Sequence, residues 1–187
     1  MVPVDLITGF LGAGKTTFLQ KYTDYLARQG IRFAVVENEF GAAGVDTAAL
    51  QAGGQPHAVY ELTGGCICCT LKQSFHEMLS SLAGRYARIL VEPSGLFNLD
   101  DFNEVMYVLE HDGICCPGLC LTVVDPHTLP GLDADARRTL YGELCTTGAV
   151  LWSKLDVPPK ADLQAAAQAV RAIAGDRSFP SGRCRRT

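Results

Sequence analysis

The sequence predicts a three-layer α/β fold in which a mainly parallel β-sheet is flanked by helices. Short apolar runs rich in Val, Ile and Leu alternate with longer segments of helical period, the pattern of strands joined by crossover helices. The 187 residues, 48% apolar and 19% charged, suit one globular domain with a real core. Right-handed crossovers bring the carboxyl ends of parallel strands to one edge, where open α/β sheets bind ligands.

Each element is predicted from its local pattern. The strands are apolar runs at Val4–Thr8, Phe33–Glu37, Ala58–Leu62, Ile89–Glu92, Leu119–Asp125 and Ala149–Ser153. The helices have apolar residues at helical spacing and cover Lys15–Arg28, Leu71–Gly84, Asp101–His111, Ala134–Leu144 and Ala161–Ala174. Residues 176–187 carry four Arg without periodicity, and no further strand is visible there. We therefore expect one domain over residues 1–175 and a disordered or truncated tail over 176–187.

Charge and hydropathy exclude two classes of partner. The net charge of −4 provides no general cationic field for nucleic acid or an anionic membrane surface. The uncharged stretch Ile114–Val124 is broken by Pro117-Gly118 and is far shorter than the ~20 residues of a spanning helix. Asp5 stands where a secretory signal would carry Lys or Arg. We expect a cytoplasmic protein that binds neither nucleic acid nor membrane.

A phosphate-binding loop is predicted between the first strand and the first helix. Residues 9–16 match the pattern G-x-x-x-x-G-K-[ST] in the strand–loop–helix context that this motif requires. Its glycines allow backbone N–H groups to turn toward phosphate oxygens at the positive end of a helix dipole. Lys15 would reach the β- and γ-phosphates, and Thr16 would offer its hydroxyl to Mg²⁺. The alternative is a Gly-rich turn that binds nothing. The candidate nucleotide-binding residues of the loop are Gly9, Gly12, Ala13, Gly14, Lys15, Thr16 and Thr17.

A base-reading element is predicted at the end of a later strand. Ser153, Lys154 and Asp156 stand close to the pattern [N/T]-K-x-D. The Asp156 carboxylate can accept from N1–H and the 2-amino group of guanine, which adenine lacks, so GTP is favoured over ATP. The Lys154 stem can lie across the base face. Ser153 has less hydrogen-bonding capacity than Asn, and the alternative is ordinary surface sequence.

Three cysteines form a candidate metal site. Cys66, Cys68 and Cys69 follow Gly64-Gly65 and precede a predicted helix. Three thiolates suit Zn²⁺ or a similar ion and leave a fourth tetrahedral position open, which permits transfer of the metal. The alternative is a set of small buried cysteines that pack as apolar residues.

A second group of cysteines is interpreted as ordinary packing. Cys120 lies within a predicted buried strand, and Pro117-Gly118, after Cys115 and Cys116, indicates a turn. This interpretation assigns no metal to the group.

Acidic residues follow two of the predicted strands. Glu37 and Glu39 begin a loop with Gly hinges that can rearrange around a γ-phosphate and Mg²⁺, and their carboxylates would complete a thiolate metal site. The alternative is a solvated acidic turn.

Glu92 is followed three positions later by Gly95, whose N–H would meet the γ-phosphate. Glu92 either holds Mg²⁺ through water or orders the attacking water. The candidate catalytic residues are therefore Lys15, Thr16, Glu92 and Gly95.

Taken in order, these segments resemble the CobW-type metallochaperone GTPases, which are similar to the GTPases that help to load nickel into hydrogenase and urease. The segments are Gly9–Thr17, Glu37–Gly41, Gly65–Cys69, Glu92 with Gly95, and Ser153–Asp156. The resemblance implies a SIMIBI-class P-loop G domain, slow GTP hydrolysis with Mg²⁺, and zinc or cobalt bound at Cys66, Cys68 and Cys69. Members commonly carry a smaller C-terminal domain, which we expect to be absent from this chain.

The main functional hypothesis is that GTP orders the loop from Glu37 to Asp46, alters metal binding by the thiolates, and so couples hydrolysis to metal transfer. The expected partners are GTP, a metal-dependent client protein and a second copy of the chain. Two alternatives stay open. One is a nucleotide-dependent metal sensor or store without enzymatic activity, and the other is an ATP-dependent P-loop kinase with structural cysteines.

Overall fold

The computed structural model describes residues 1–38, 58–61, 69–93, 99–158, 160–175 and 181–183. Seven strands lie in this part of the chain: β1 (Val2–Thr8), β2 (Phe33–Asn38), β3 (Ala58–Glu61), β4 (Arg88–Pro93), β5 (Cys115–Val124), β6 (Ala149–Trp152) and β7 (Ser181–Arg183). Its helices are α1 (Lys15–Arg28), α2 (Cys69–Ala83), α3 (Leu99–His111), α4 (Ala134–Thr146) and α5 (Leu163–Ala174), with a 3₁₀ turn at Leu129–Gly131. Among the helices of the described residues, none combines the length and apolar character that a membrane span requires.

The chain divides into two compact units. The first comprises Met1–Ile7 and Leu19–Leu119, and the second comprises Thr8–Phe18 and Cys120–Thr187. Strands in the first unit pair in parallel in the order β3-β2-β4-β1. In the second unit, β5, β6 and β7 also pair in parallel, in that order.

Burial along the strands indicates that helices cover both sheet faces. Ala34, Val35 and Val36 are successive residues of β2, and all three are fully buried. Successive strand residues point to opposite faces, so burial of consecutive positions means that neither face meets solvent there. The predicted parallel sheet with flanking helices is thus confirmed.

Each unit has its own apolar core. In the first unit, α2 and α3 pack through Phe75 and Phe102, whose ring centroids lie 6.0 Å apart. The core cluster of the second unit joins β5, β6, α4 and α5, with these buried members: Val124, Leu129, Leu140, Leu144, Val150, Trp152, Ala166, Val170 and Ala174.

A buried carboxylate on β1 binds residues of α1, β4 and the first part of β5, all of which lie in the first unit. Asp5 on β1 is fully buried, and both of its oxygens accept from Arg88 Nη1 on β4 at 2.7 Å. The Tyr22 hydroxyl on α1 donates to Oδ2 at 2.6 Å, and the Leu119 amide on β5 donates to Oδ1 at 2.7 Å. A buried charge is tolerated when it is paired and hydrogen-bonded in this way.

The turn predicted at Pro117-Gly118 is wrong, because β5 continues through both residues. The Asp5 carboxylate on β1 binds the strand at this point. A Cβ at Gly118 would lie 2.2 Å from Asp5 Oδ1, so glycine lets the strand approach the carboxylate that binds the Leu119 amide. The Pro-Gly pair occupies an exposed part of the strand.

The expectation of no further strand beyond residue 175 is also wrong. β7 pairs in parallel with β6 through Val150↔Ser181, Leu151↔Gly182 and Trp152↔Arg183. A three-residue strand is too short to show a period of two in the sequence, and its pairing depends on a distant partner. The predicted domain boundaries stay predictions.

Candidate functional site

The phosphate loop occupies the connection between β1 and α1, as predicted. Gly9, Gly12 and Gly14 adopt φ values of +135°, +75° and +99°, which side-chain-bearing residues rarely adopt. A Cβ at Gly9 would lie 2.3 Å from the Val123 carbonyl oxygen, so the backbone of β5 leaves no room for a side chain. The two glycines that the motif requires, Gly9 and Gly14, also lie against neighbouring segments of the second unit.

Lys15 closes the loop on itself. Its ammonium donates to the carbonyl oxygens of Gly9 at 2.8 Å and Phe10 at 3.2 Å. The Ala13 amide donates to Phe10 O at 3.0 Å, and the Phe18 amide donates to Gly14 O at 3.0 Å as α1 begins. The ammonium is thereby held among loop carbonyls in a segment that can present backbone amides to an anion.

Thr16 and Thr17 lie in the first turn of α1, where the sequence pattern places them, and both are half-buried. The backbone N–H groups of a first helical turn have no partner within the helix. This end of α1 is therefore suited to a negatively charged group.

Glu143 on α4 is a residue of this site that the sequence analysis missed. Its Oε1 accepts a hydrogen bond from the Gly9 amide at 3.2 Å, and its Oε2 is buried without a hydrogen-bond partner among the described residues. Burial raises the pKa of Glu143 to about 7, although the Gly9 hydrogen bond and the Lys15 charge both act to lower it. Glu143 matches no motif, so only its tertiary contact with the loop identifies it.

The predicted base-reading segment follows β6 and lies against the phosphate loop. A Cβ at Gly14 would be in ordinary contact with the Ser153 Cβ, at 3.6 Å. Ser153 is buried, and its amide and hydroxyl donate to the Val124 carbonyl oxygen at 3.0 and 3.3 Å. Its hydroxyl therefore ties β6 to β5 in this structure. Asp156, in contrast, is exposed.

Lys154 is held by an acid that the sequence analysis did not assign to the site. Its ammonium lies 2.8 Å from Oδ2 of Asp125, a residue that is only 5% exposed. Oδ1 of Asp125 accepts from the His127 amide at 3.0 Å, so both carboxylate oxygens are engaged. The backbone of Lys154 has φ of +52°. A cavity of about 100 Å³ lies between phosphate-loop residues 10–13, the end of β5 and Lys154.

Two candidate acids lie at the carboxyl ends of neighbouring strands in the first unit. Glu37 on β2 is the direct register partner of Glu92 on β4. Neighbouring strands are about 4.8 Å apart, so the two residues are adjacent across the ladder. Glu37 is buried and Glu92 is half-buried. This register places the two predicted acids side by side.

Most of the other candidate metal and switch residues lie outside the part of the chain that the structure describes. Glu39, Cys66, Cys68 and Gly95 lie outside the described residues, and of Cys69 only its place at the start of α2 is described. Within the described ranges, no three His, Cys, Asp or Glu side chains come together as metal ligands.

The second cysteine group lies along β5. Cys115 is buried, and burial raises the pKa of its thiol. A protonated thiol is a poor metal ligand, which agrees with the interpretation of this residue as ordinary packing.

A family model described as the CobW/HypB/UreG nucleotide-binding domain matches residues 3–180. Among curated proteins, the zinc chaperone CobW of Pseudomonas aeruginosa is 36% identical over 137 residues, which cover 66% of this chain and 35% of that protein. The chain spans between 35% and 47% of the length of five of the curated relatives it matches.

Solved structures of related fold agree with the family match. The hydrogenase maturation factor HypB of Archaeoglobus fulgidus has a TM-score of 0.64 at 10% identity, covering 97% of this chain and 81% of that chain. The Zn(II)-bound YjiA GTPase of Escherichia coli has a TM-score of 0.62 at 20% identity, covering 98% and 57%. These likenesses confirm the predicted P-loop NTPase fold. The family match over residues 3–180 establishes that this chain belongs to the CobW/HypB/UreG family of P-loop GTPases.

Proposed function

We propose that this chain binds GTP with Mg²⁺ and hydrolyses it slowly. The observation that carries the proposal is the contact of the phosphate loop with the segment that follows β6, at Gly14 and Ser153. A phosphate cradle and a base-reading Asp on adjoining segments are what recognition of a whole guanine nucleotide requires. Family membership supports the same reaction.

In this proposal, different residues bind different parts of the nucleotide. Backbone amides of residues 9–17 bind the phosphates, and Lys15 exchanges its loop carbonyls for β- and γ-phosphate oxygens. Lys154, anchored by Asp125, supports the base, and Asp156 reads the guanine edge. A loop that excludes a Cβ at Gly9 and leads into α1, with Thr16 in the first helical turn, suits a Mg-nucleotide. Mg²⁺, held by Thr16, would neutralise charge on the phosphates.

Glu92 and Gly95 are the proposed residues nearest the chemistry of hydrolysis. Glu92 would either hold Mg²⁺ through a water molecule or order the attacking water, and the Gly95 amide would contact the γ-phosphate.

Nucleotide competition and single-turnover hydrolysis test the first part of the proposal. GTP should displace a fluorescent guanine nucleotide far better than ATP does, and Asp156→Asn should weaken GTP binding about tenfold or more while leaving ATP binding unchanged. If ATP competes equally well and the variant leaves selectivity unchanged, a kinase function is favoured. A single-turnover rate that never exceeds that of buffer, with or without Zn²⁺ or Co²⁺, favours a metal sensor or store.

We further propose that zinc, or cobalt, is the cargo of this protein. Cys66, Cys68 and Cys69 would bind it with Glu37 and Glu39, and GTP hydrolysis would drive its transfer to a metal-dependent client protein. Support comes from relatives named as zinc chaperones and from the register that places Glu37 beside Glu92. Glu37, a candidate ligand of the cargo metal, therefore lies next to Glu92, a candidate catalytic acid.

A chelator-competition titration with Zn²⁺ and Co²⁺ tests the cargo site. The wild-type chain should bind one ion and release protons as thiols become thiolates. Cys66→Ser should lower the affinity strongly, whereas the exposed Cys145→Ser serves as a matched control and should leave it unchanged. Equal affinities for all three proteins would overturn the proposed site.

A further inference from the structure

A carboxyl group on α4 forms a hydrogen bond with the phosphate loop. Glu143 Oε1 accepts from the amide of Gly9, the first residue of the loop, at 3.2 Å. Gly9 cannot be replaced without collision with β5, so this amide is fixed on one side by the strand and on the other by Glu143. The carboxyl group therefore contacts the loop at its first residue.

The ionisation of this carboxyl group depends on the charges close to it. Its second oxygen, Oε2, is buried without a hydrogen-bond partner among the described residues. The charge that acts on Glu143 is that of Lys15, and the Gly9 amide supplies the hydrogen bond. Lys15 in turn donates to the carbonyls of Gly9 and Phe10, so the ammonium and the carboxyl group share the same short segment.

We propose that Glu143 is a positioning residue of the phosphate loop. It holds the Gly9 amide, and it takes up a proton when nucleotide phosphates bind at Lys15. The inference rests on the proposed function, because it requires that a nucleotide occupies the loop.

The direction of the proton movement follows from charge. In the structure, the Lys15 ammonium favours the ionised carboxylate. Bound phosphates neutralise Lys15 and add negative charge at the loop, which disfavours a second negative group nearby. The protonated carboxyl group still offers a carbonyl oxygen to the Gly9 amide, so the loop keeps its anchor while the repulsion is removed.

The consequence is a nucleotide affinity that depends on pH around neutrality. If phosphate binding moves the pKa of Glu143 from about 7 to one unit higher, the Kd rises about tenfold between pH 6 and pH 9. Under the same assumption, binding at pH 7.5 takes up about half a proton.

Calorimetric titration of the full chain with a non-hydrolysable GTP analogue and Mg²⁺ tests the inference. Zinc is removed beforehand, because thiolates would also exchange protons. Titrations in two buffers of different ionisation enthalpy give the number of protons taken up, and the Kd is followed from pH 6 to pH 9. Glu143→Gln keeps an oxygen acceptor for the Gly9 amide without titrating, Glu143→Ala removes both, and the exposed Glu110→Gln is the matched control.

We expect wild type and Glu110→Gln to take up about half a proton more than Glu143→Gln, whose Kd should follow pH only through the nucleotide's own phosphates. Glu143→Ala should bind more weakly than Glu143→Gln at every pH. Equal proton uptake in wild type and Glu143→Gln would overturn the inference while leaving GTP binding intact. A chain that binds no guanine nucleotide would overturn the proposed function as well. If Glu143→Gln unfolds, a wild-type Kd that is flat near pH 7 still overturns the inference.

Discussion

At the scale of single residues, Asp125 supports base recognition indirectly. In our proposal it does not contact the base, but it holds Lys154, which does. Its buried carboxylate holds the Lys154 ammonium at 2.8 Å and the His127 amide at 3.0 Å. Asp125→Asn keeps the shape but removes the charge, so Lys154 loses the partner that fixes its stem. We expect the Kd for GTP to rise about tenfold, since hydrogen bonds to charged groups contribute about 1.5–3 kcal/mol.

Equilibrium binding of a fluorescent GTP analogue checks this prediction. Asp135→Asn is the matched control, because Asp135 belongs to the same unit and its side chain is 89% exposed. A Kd for Asp125→Asn equal to that of the control would show that Lys154 needs no anchor.

The raised pKa of Glu143 also predicts how the stability of the folded chain depends on pH. Burial raises its pKa in the folded chain to about 7 from an ordinary value of 4.5. A raised pKa means that the folded state retains a proton that the unfolded chain releases. The stabilisation is complete below the unfolded value and is lost as pH rises toward 7. Relative to Glu143→Gln, wild type should therefore lose about 3 kcal/mol of unfolding free energy between pH 4 and pH 8, measured by urea unfolding. Parallel pH curves for the two proteins would contradict it.

At the scale of elements, the phosphate loop depends on the absence of one side chain. Gly9→Ala would place a Cβ 2.3 Å from the Val123 carbonyl oxygen at a φ of +135°, so either β5 or the loop must move. We expect a loss of about 2 kcal/mol or more in unfolding free energy and loss of nucleotide binding. Gly142→Ala is the control in the same unit. It lies in α4, where an added Cβ would have no atom within 4 Å, and it should stabilise the helix by up to about 1 kcal/mol.

Chemical denaturation and nucleotide binding of both glycine variants provide the measurement. A Gly9→Ala chain that binds GTP like wild type would mean that the loop does not need this conformation.

Elements with a clear local sequence pattern could be predicted from the sequence. Elements whose bounds depend on distant contacts could not. The helix predicted at Lys15–Arg28 has those bounds, because apolar spacing and the glycines before it determine both. The helix predicted from Ala161 begins at Leu163, since the Asp162 carboxylate caps the amides of Gln164 and Ala165. Strand β5 extends through Pro117-Gly118, where Asp5, more than a hundred residues earlier, binds the Leu119 amide.

The candidate site divides in the same way. Lys15, Thr16 and Lys154 belong to short patterns and lie where those patterns place them. Glu143 and Asp125 carry no motif, and each enters the site through a contact with a residue distant in sequence or on another element. Such contacts are set by packing, which a single sequence does not display.

At the scale of the whole molecule, the proposed function requires that nucleotide and cargo metal influence each other. Linkage makes the influence reciprocal, so any factor by which GTP changes zinc affinity must equal the factor by which zinc changes GTP affinity. We expect a factor of about tenfold, within the usual range for coupled sites. Four Kd values determine it: zinc with and without a non-hydrolysable GTP analogue, and the analogue with and without zinc.

Cysteine variants separate coupling from binding in this cycle. Cys66→Ser should abolish the factor while leaving the Kd of the analogue in zinc-free buffer unchanged, because the phosphate loop and the thiolates are different segments. Cys145→Ser should preserve the factor, since this exposed cysteine lies outside the Cys-x-Cys-Cys motif. Two sites that fill independently in the wild-type chain would leave a GTPase with a metal site, but no mechanism by which hydrolysis moves the metal.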